Sequence, residues 1–177
     1  MKTIKKIGKG YSSEIFLVED KGKKLVLKKE KTKSPRIDMV EKECKNLYLA
    51  NSVGIGPMLF AYDLENRVIL MEFVDAFTFN EWLFKHTPNR LELHAFLHEL
   101  FSQARQLDKI GLDHGQLAGK GKNILVRKAD LAPVIIDFEK ASSNRKCHNV
   151  SQLESFLYRS KRSAITKKVA EILTGNT

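Results

Sequence analysis

A lysine ends an apolar run in the first part of the sequence, where its chemistry would be constrained. Lys28 follows the apolar residues 25–27, so its aliphatic stem would be buried and its ammonium group confined. A buried ammonium group needs a carboxylate or a phosphate as its partner. Glu43, on a predicted amphipathic helix, is the natural carboxylate. The pattern therefore predicts a buried ion pair or a phosphate contact at Lys28.

A second group of polar residues lies in the C-terminal half of the chain. The segment 113–117 has the sequence Asp-His-Gly-Gln-Leu and precedes Asn123, which begins a short apolar run. Asp137 follows another apolar run, at 134–136, so its carboxylate is expected at the end of a buried strand. His114 is expected to fix its loop by hydrogen bonds rather than to act as an acid or base.

Two glycines, Gly8 and Gly10, lie in a turn between two predicted strands near the N-terminus. Glycines in such a turn let backbone N–H groups approach phosphate oxygens, although an ordinary hairpin turn also uses them. A dinucleotide-binding fingerprint would continue into a helix, whereas a strand follows here. The turn becomes a candidate phosphate site only in combination with the other residues.

The elements predicted around the first group form a sheet with one helix. Alternating apolar and polar residues predict the strands, and apolar positions at helical spacing predict the helix. The predicted strands are 3–7, 14–19, 24–28, 58–62 and 67–73, the helix is 37–51, and a basic loop is expected at 29–36.

After residue 75 the pattern becomes mainly helical. Helices are predicted at 79–85, 90–110, 150–158 and 164–173, and short strands at 123–126 and 133–136. This change divides the chain into a sheet-rich N-lobe, residues 1–75, and a reduced helical C-lobe, residues 76–177. A cleft between two such lobes would be a favoured ligand site.

The order of these features resembles that of the protein-kinase fold. It runs from a glycine loop through a strand lysine, a helix glutamate and a hinge to a His-containing loop with asparagine and an Asp-Phe pair. The sequence is most similar to small atypical kinases, namely the RIO family and the small kinase of the KEOPS tRNA-modification complex, over roughly residues 5–158. The resemblance implies an α+β, two-lobed protein-kinase-like fold with a small antiparallel-sheet N-lobe, a short helical C-lobe and ATP in the cleft.

The resemblance also implies roles in nucleotide binding. Gly8 and Gly10 would cover the nucleotide phosphates. Lys28 would contact the α- and β-phosphates and pair with Glu43. The hinge residues that would present backbone groups to adenine are Glu72 and Phe73.

The implied metal and catalytic residues depart from the kinase pattern in part. Asn123 and Asp137 would hold Mg²⁺. Ser13 replaces the third glycine of the loop, Glu139 replaces the glycine of the Asp-Phe-Gly motif, and Gln116 stands at the position of the catalytic-base aspartate. The gap from this position to Asn123 is also two residues longer than in kinases.

The catalytic base is consequently left open. Gln116 cannot accept a proton as a carboxylate does, but it can orient a hydroxyl group, and Asp113 is the alternative if its side chain points into the cleft. Two functions follow from the resemblance. The leading one is Mg-ATP-dependent phosphotransfer to a Ser or Thr of a protein or of the chain itself. The alternative is a pseudokinase, a nucleotide-binding scaffold in an RNA-associated complex that does not turn over.

The composition excludes several classes of protein. The two cysteines are too few for a disulfide framework, and no apolar run approaches the ~20 residues that cross a bilayer. We therefore expect a cytoplasmic protein with no membrane contact.

The charge of the chain is concentrated near its C-terminus. The net charge is +10, and residues 118–177 hold 12 basic and 5 acidic residues. A nucleotide site does not account for this excess, which would form either a solvated helix face or a surface for RNA. The basic residues expected on such a face are Arg159, Lys161, Arg162, Lys167 and Lys168.

Overall fold

The computed structural model describes residues 1–10, 12–31, 38–119 and 121–175. These residues form two compact units. The first unit comprises Met1–Val74 and Phe138–Lys140, and the second comprises Asp75–Asp137 and Ala141–Thr177. Most of the basic loop predicted at 29–36 and the first predicted residue of the helix, Ile37, lie outside the described residues.

The first unit is built on an antiparallel sheet of five strands, in the order β1-β2-β3-β5-β4. One helix, α1, accompanies the sheet. The elements are β1 (Lys2–Lys9), β2 (Ser13–Asp20), β3 (Lys23–Glu30), α1 (Met39–Asn51), β4 (Leu59–Asp63) and β5 (Val68–Glu72). The five strands and the helix predicted from the sequence are present, with ends shifted by one or two residues.

Packing of α1 against the sheet determines where the first unit directs its charged side chains. The buried apolar cluster consists of Val40, Cys44, Ile69 and Met71. Lys28 pairs with Ile69 across β3 and β5, and directly paired residues share a face of the sheet, so Lys28 faces α1. Glu43 lies three residues after Val40 on α1, which places both on the same side of the helix. The apolar pattern thus brings a lysine and a glutamate together inside the unit.

The cysteine of this cluster is a packing residue. Burial, with a further contribution from the neighbouring Glu43 carboxylate, raises the pKa of the Cys44 thiol to about 12. The side chain therefore stays a neutral thiol at physiological pH and acts as a small apolar residue.

The second unit combines a three-stranded antiparallel sheet, in the order β6-β7-β8, with helices. Its elements are β6 (Ala76–Thr78), α2 (Phe79–Glu81), α3 (Arg90–Lys109), β7 (Ile124–Arg127), β8 (Pro133–Ile135), α4 (Asn149–Glu154) and α5 (Ala164–Thr174). The π-helical segments Trp82–His86 and Ser155–Arg159 continue α2 and α4. The short strand β6 is an element that the sequence did not predict.

Two helices of the second unit begin at capping boxes that are visible in the sequence. Thr78 and Glu81 cap α2, and Asn89 and Glu92 cap α3, in each case with reciprocal bonds between side chain and backbone. The buried face of α3 consists of Leu93, Phe96, Leu97, Leu100, Ala104 and Leu107. Among the helices of the described residues, none is both long and apolar enough to span a membrane.

Candidate functional site

The ion pair predicted between Lys28 and Glu43 is present in the first unit. Lys28 Nζ lies 2.8 Å from Glu43 Oε1 and 2.6 Å from Glu43 Oε2. Both residues are buried, with 8% of Lys28 and 3% of Glu43 exposed. A buried ammonium group held by one bidentate carboxylate is oriented, because moving it away would leave both charges without compensation.

A second carboxylate in the same unit approaches the lysine. Glu139 Oε2 lies 3.9 Å from Lys28 Nζ and accepts a hydrogen bond of 3.1 Å from Ser12 Oγ. Asn46 of α1 donates through Nδ2 to the backbone oxygen of Phe138 at 3.1 Å, which fixes the segment that carries Glu139. Sequence reasoning identified Glu139 only as a replacement for glycine. Because the replacement is an acidic residue, its contact with the lysine could have been predicted from the sequence.

The glycine turn is a tight hairpin connection between β1 and β2. Gly8 is paired with Ile15, and a Cβ atom on Gly8 would lie 3.2 Å from Ile15 Cδ1. The backbone N–H of Gly10 donates to Ser13 O at 2.9 Å, and Lys31 Nζ donates to Gly10 O at 2.6 Å. In this conformation the Gly10 N–H is already hydrogen-bonded within the turn. The phosphate-covering role of the two glycines therefore stays a prediction. Tyr11 lies outside the described residues.

The predicted hinge residues follow directly from β5. Glu72 is the last residue of that strand; its backbone N–H donates to Met58 O at 2.9 Å, and its side-chain Oε2 accepts from Met58 N at 3.1 Å. The Glu72 N–H is therefore committed within the first unit. The predicted contact with adenine would therefore use the Glu72 carbonyl and the backbone groups of Phe73.

In the second unit, the β7–β8 pairing brings Asn123 and Asp137 to one end of the small sheet. Asn123 directly precedes β7, and its backbone oxygen accepts from Ile136 N at 3.0 Å, so Asp137 is the next residue along the opposite chain. Asn123 Nδ2 donates to the backbone oxygen of Gln116 at 2.9 Å. Gly119 N donates to the same oxygen at 2.9 Å, which closes the lengthened loop onto itself.

These two side chains fit the chemistry of a hard divalent cation. The amide nitrogen of Asn123 is used as a donor to Gln116, which leaves the amide oxygen as its ligand atom. Asp137 has a left-handed backbone, with φ of 69°, a conformation that costs a non-glycine residue energy and is often retained at functional positions. Carboxylate and amide oxygens are the protein ligands that Mg²⁺ accepts.

His114 supports this loop from inside the second unit. The residue is fully buried; its backbone N–H donates to Asn149 Oδ1 at 2.8 Å, and its ring Nε2 lies 3.0 Å from Ile136 O. Because a carbonyl oxygen only accepts, Nε2 carries the proton. Burial lowers the pKa of His114, against the opposing hydrogen bond to Ile136. A neutral, fixed imidazole agrees with the structural role expected for this residue.

Asp113, the alternative base, is occupied by structural contacts. The residue is 3% exposed and its carboxylate forms an ion pair with Arg145. Its Oδ1 also accepts from His148 N at 3.1 Å and from Gln152 Nε2 at 3.4 Å. These contacts hold the Asp113 side chain inside the second unit, and its role as an alternative base stays a prediction. Gln116 is half-buried in the same loop.

The basic residues of the last third differ in their surroundings. Arg159 pairs with Glu154 at 2.6 Å, and Lys168 pairs with Glu171 at 2.7 Å. The others named from the sequence are exposed, and they are Lys161, Arg162 and Lys167.

Comparison with known proteins identifies the family. None of the curated proteins compared with the chain matches it. The family model of the RIO domain matches residues 16–159, a range that contains Lys28, Glu43, Gln116, Asn123 and Asp137. This match confirms the kinase-like α+β fold and the resemblance to atypical kinases, while the likeness to the KEOPS kinase stays a prediction. The chain belongs to the RIO domain family, an atypical kinase-like family that binds ATP.

Proposed function

We propose that this protein transfers a phosphoryl group from Mg-ATP to a Ser or Thr hydroxyl of a protein or of itself. The observation that carries the proposal is the buried bidentate pair of Lys28 and Glu43 in a chain that matches the RIO domain. Phosphoryl transfer passes through a loose transition state, so that catalysis consists mainly of positioning and charge stabilisation. An oriented buried ammonium group supplies both for the phosphates of the nucleotide.

Asn123 and Asp137 are the residues that would hold the metal ion. When bound, Mg²⁺ supplies charge neutralisation at the phosphoryl group. The chain contributes the fixed orientation of both ligands, through the hydrogen bond from Asn123 to Gln116 and the strand pairing that precedes Asp137.

Gln116 stands at the position of the catalytic base and can perform only part of its role. Its amide oxygen can accept a hydrogen bond from the acceptor hydroxyl and so orient it, but a glutamine does not remove the proton. In a loose transition state the bond from the attacking hydroxyl oxygen to phosphorus is little formed, so little positive charge develops on that oxygen. Its proton can then pass to a phosphoryl oxygen or to solvent after the bond forms, and orientation alone supports a slow reaction. We therefore expect a slow kinase whose rate depends on the metal ligands more than on Gln116.

The test is transfer of label from γ-labelled ATP in the presence of Mg²⁺. Labelled protein should form with the wild-type chain, and the Asp137→Ala variant should lower the rate by about 100-fold or more. Asp130→Ala is the control, because Asp130 is an exposed aspartate of the same unit. Equal labelling by wild type and Asp137→Ala would overturn the proposal, and binding of ATP without any transfer would establish the pseudokinase alternative.

We propose further that the protein is cytoplasmic and that exposed basic residues contact a polyanionic partner. Both cysteines are free, Cys44 buried and Cys147 half-buried, as expected in a reducing compartment.

The basic residues Lys161, Arg162 and Lys167 are exposed and favour RNA as the partner. Reversing these three charges should weaken RNA binding and reduce its salt dependence; an unchanged affinity and salt slope would exclude the contact.

A further inference from the structure

Glu139 is an acidic residue with a buried side chain that the proposed catalysis does not use. This side chain is 8% exposed, and it contacts two residues from different parts of the first unit, Ser12 and Lys28. Ser12 belongs to the turn that follows Gly10, and Lys28 belongs to β3. One carboxylate oxygen, Oε2, contacts both of them.

The charges around Lys28 indicate how Glu139 affects the binding of an anion. The lysine has one positive charge, and carboxylates of Glu43 and Glu139 lie within 3.9 Å of its Nζ. The bidentate contact with Glu43 is the closer of the two, so Glu139 occupies a second, weaker position beside the ammonium group. An incoming phosphate is also an anion and is repelled by Glu139 at short range, where burial reduces screening by solvent.

The contact with Ser12 extends the effect to the glycine turn. Ser12 is 2% exposed, and its hydroxyl donates to Glu139. Ser12 O also accepts from Lys31 N at 2.9 Å, so the serine is held by both its side chain and its backbone. Glu139 Oε2 therefore contacts both the turn and the lysine.

We propose that Glu139 is a positioning residue that stands in for a phosphate and determines polyphosphate affinity. It holds Lys28 and the glycine turn together in the protein without nucleotide, and it must release Lys28 when a polyphosphate binds. The inference rests on the proposed function in so far as Lys28 is taken to be the phosphate-binding lysine. It adds that the glutamate in place of the motif glycine lowers affinity for the ligand.

The test compares Glu139→Gln with a matched control, Glu30→Gln. The Glu30 side chain is buried to a similar degree, with 6% exposed against 8% for Glu139; it lies in the same unit and pairs with Arg67. The probe is inorganic tripolyphosphate, which presents phosphates without adenine, and its dissociation constant is measured by calorimetry. Hydrogen exchange of the peptide that contains Gly8 and Ser13 is measured in the same variants without ligand.

Glu139→Gln should bind tripolyphosphate about tenfold more tightly than wild type, because one repulsive charge is removed. The glycine turn should exchange faster, and Glu30→Gln should change neither quantity. Ser12→Ala provides a second route if Glu139→Gln does not fold: it frees the carboxylate from the turn and should speed exchange of the turn with a smaller gain in affinity.

Several outcomes separate this inference from the proposed function. Unchanged or weaker tripolyphosphate binding by Glu139→Gln, or absence of binding in all variants, would overturn the inference. Tighter tripolyphosphate binding by Glu139→Gln together with no labelling from ATP would support the inference and overturn the proposed phosphotransfer alone.

Discussion

The two units position their polar residues in different ways. The first unit uses charge: Lys28 and Glu43 form a bidentate ion pair inside the unit, with Glu139 beside it. In the second unit an ion pair with Arg145 holds Asp113, but the loop that carries Asn123 is positioned by neutral hydrogen bonds. Asn123 donates to the backbone oxygen of Gln116, and the imidazole of His114 donates to that of Ile136.

This difference explains which sequence departures from the kinase pattern leave the contacts of the site intact. The partner of Asn123 is the backbone oxygen of residue 116, and every residue type has that oxygen. Glutamine in place of aspartate therefore leaves the contact unaffected, and the two additional residues are accommodated in the loop that Gly119 N closes. A contact between side-chain charges has no such tolerance, because removal of one charge takes the closest partner away from the other inside the protein.

The largest effect should come from removing one charge of the first unit. Glu43→Gln removes the closer carboxylate from the buried Lys28 ammonium group, while Glu139 Oε2 stays 3.9 Å away. The free energy of unfolding should fall by about 3 kcal/mol, the lower end of the range for breaking a buried pair. Chemical denaturation measures this change. Glu41→Gln, an exposed position on α1, is the control and should shift stability by less than about 0.5 kcal/mol; equal losses in the two variants would refute a charge-based first unit.

A smaller effect should follow from protonation inside the second unit. Burial lowers the pKa of His114, while the carboxylates of Asp137 and Asp113 oppose the shift and Arg145 adds to it. The folded state then binds fewer protons than the unfolded state below pH 6.5, the ordinary value for the group. Stability contributed by the neutral imidazole is present above pH 6.5 and is lost as the pH falls below that value.

The measurement is the free energy of unfolding as a function of pH in wild type and in two variants. His114→Gln should flatten this part of the profile, whereas His94→Gln, at an exposed position on α3, should keep it. Identical slopes for wild type and His114→Gln would mean that the second unit does not depend on a neutral imidazole.

The smallest effect should come from the neutral contact of the loop. Asn123→Ala removes the hydrogen bond to the Gln116 backbone oxygen, which still accepts from Gly119 N. The expected loss of stability is about 1 kcal/mol, measured by denaturation beside the exposed control Asn144→Ala. A loss as large as that of Glu43→Gln would show that the two units do not differ in the way described.

Much of the fold could be predicted because the periodicity of apolar residues is strong in both halves of the chain. The alternation along β3 and β5 and the stripe on α1 were enough to predict that Lys28 meets Glu43. The strand β6 was missed because its three residues, Ala76–Thr78, are too few for an alternating pattern to emerge.

The parts that could not be predicted depend on contacts between distant positions. The occupation of Asp113 by Arg145 joins residues that are 32 positions apart, and no local pattern links them. The contact of Ser12 with Glu139 joins residues 127 positions apart and requires that Phe138–Lys140 belong to the first unit. Such contacts are results of tertiary packing, which single-sequence patterns do not encode.

Binding of nucleotide phosphates by the buried lysine of the first unit is the requirement on which the proposed function rests. It is tested most directly by calorimetric titration of Mg-ATP into wild type, Lys28→Met and Lys29→Met, at a temperature where all three are folded. Lys29 is the neighbouring exposed lysine on β3 and is the matched control. Lys28→Met should weaken binding by tenfold or more, which corresponds to about 1.4 kcal/mol, and Lys29→Met should bind like wild type. Equal affinity in Lys28→Met and wild type would contradict a phosphate-binding role of Lys28.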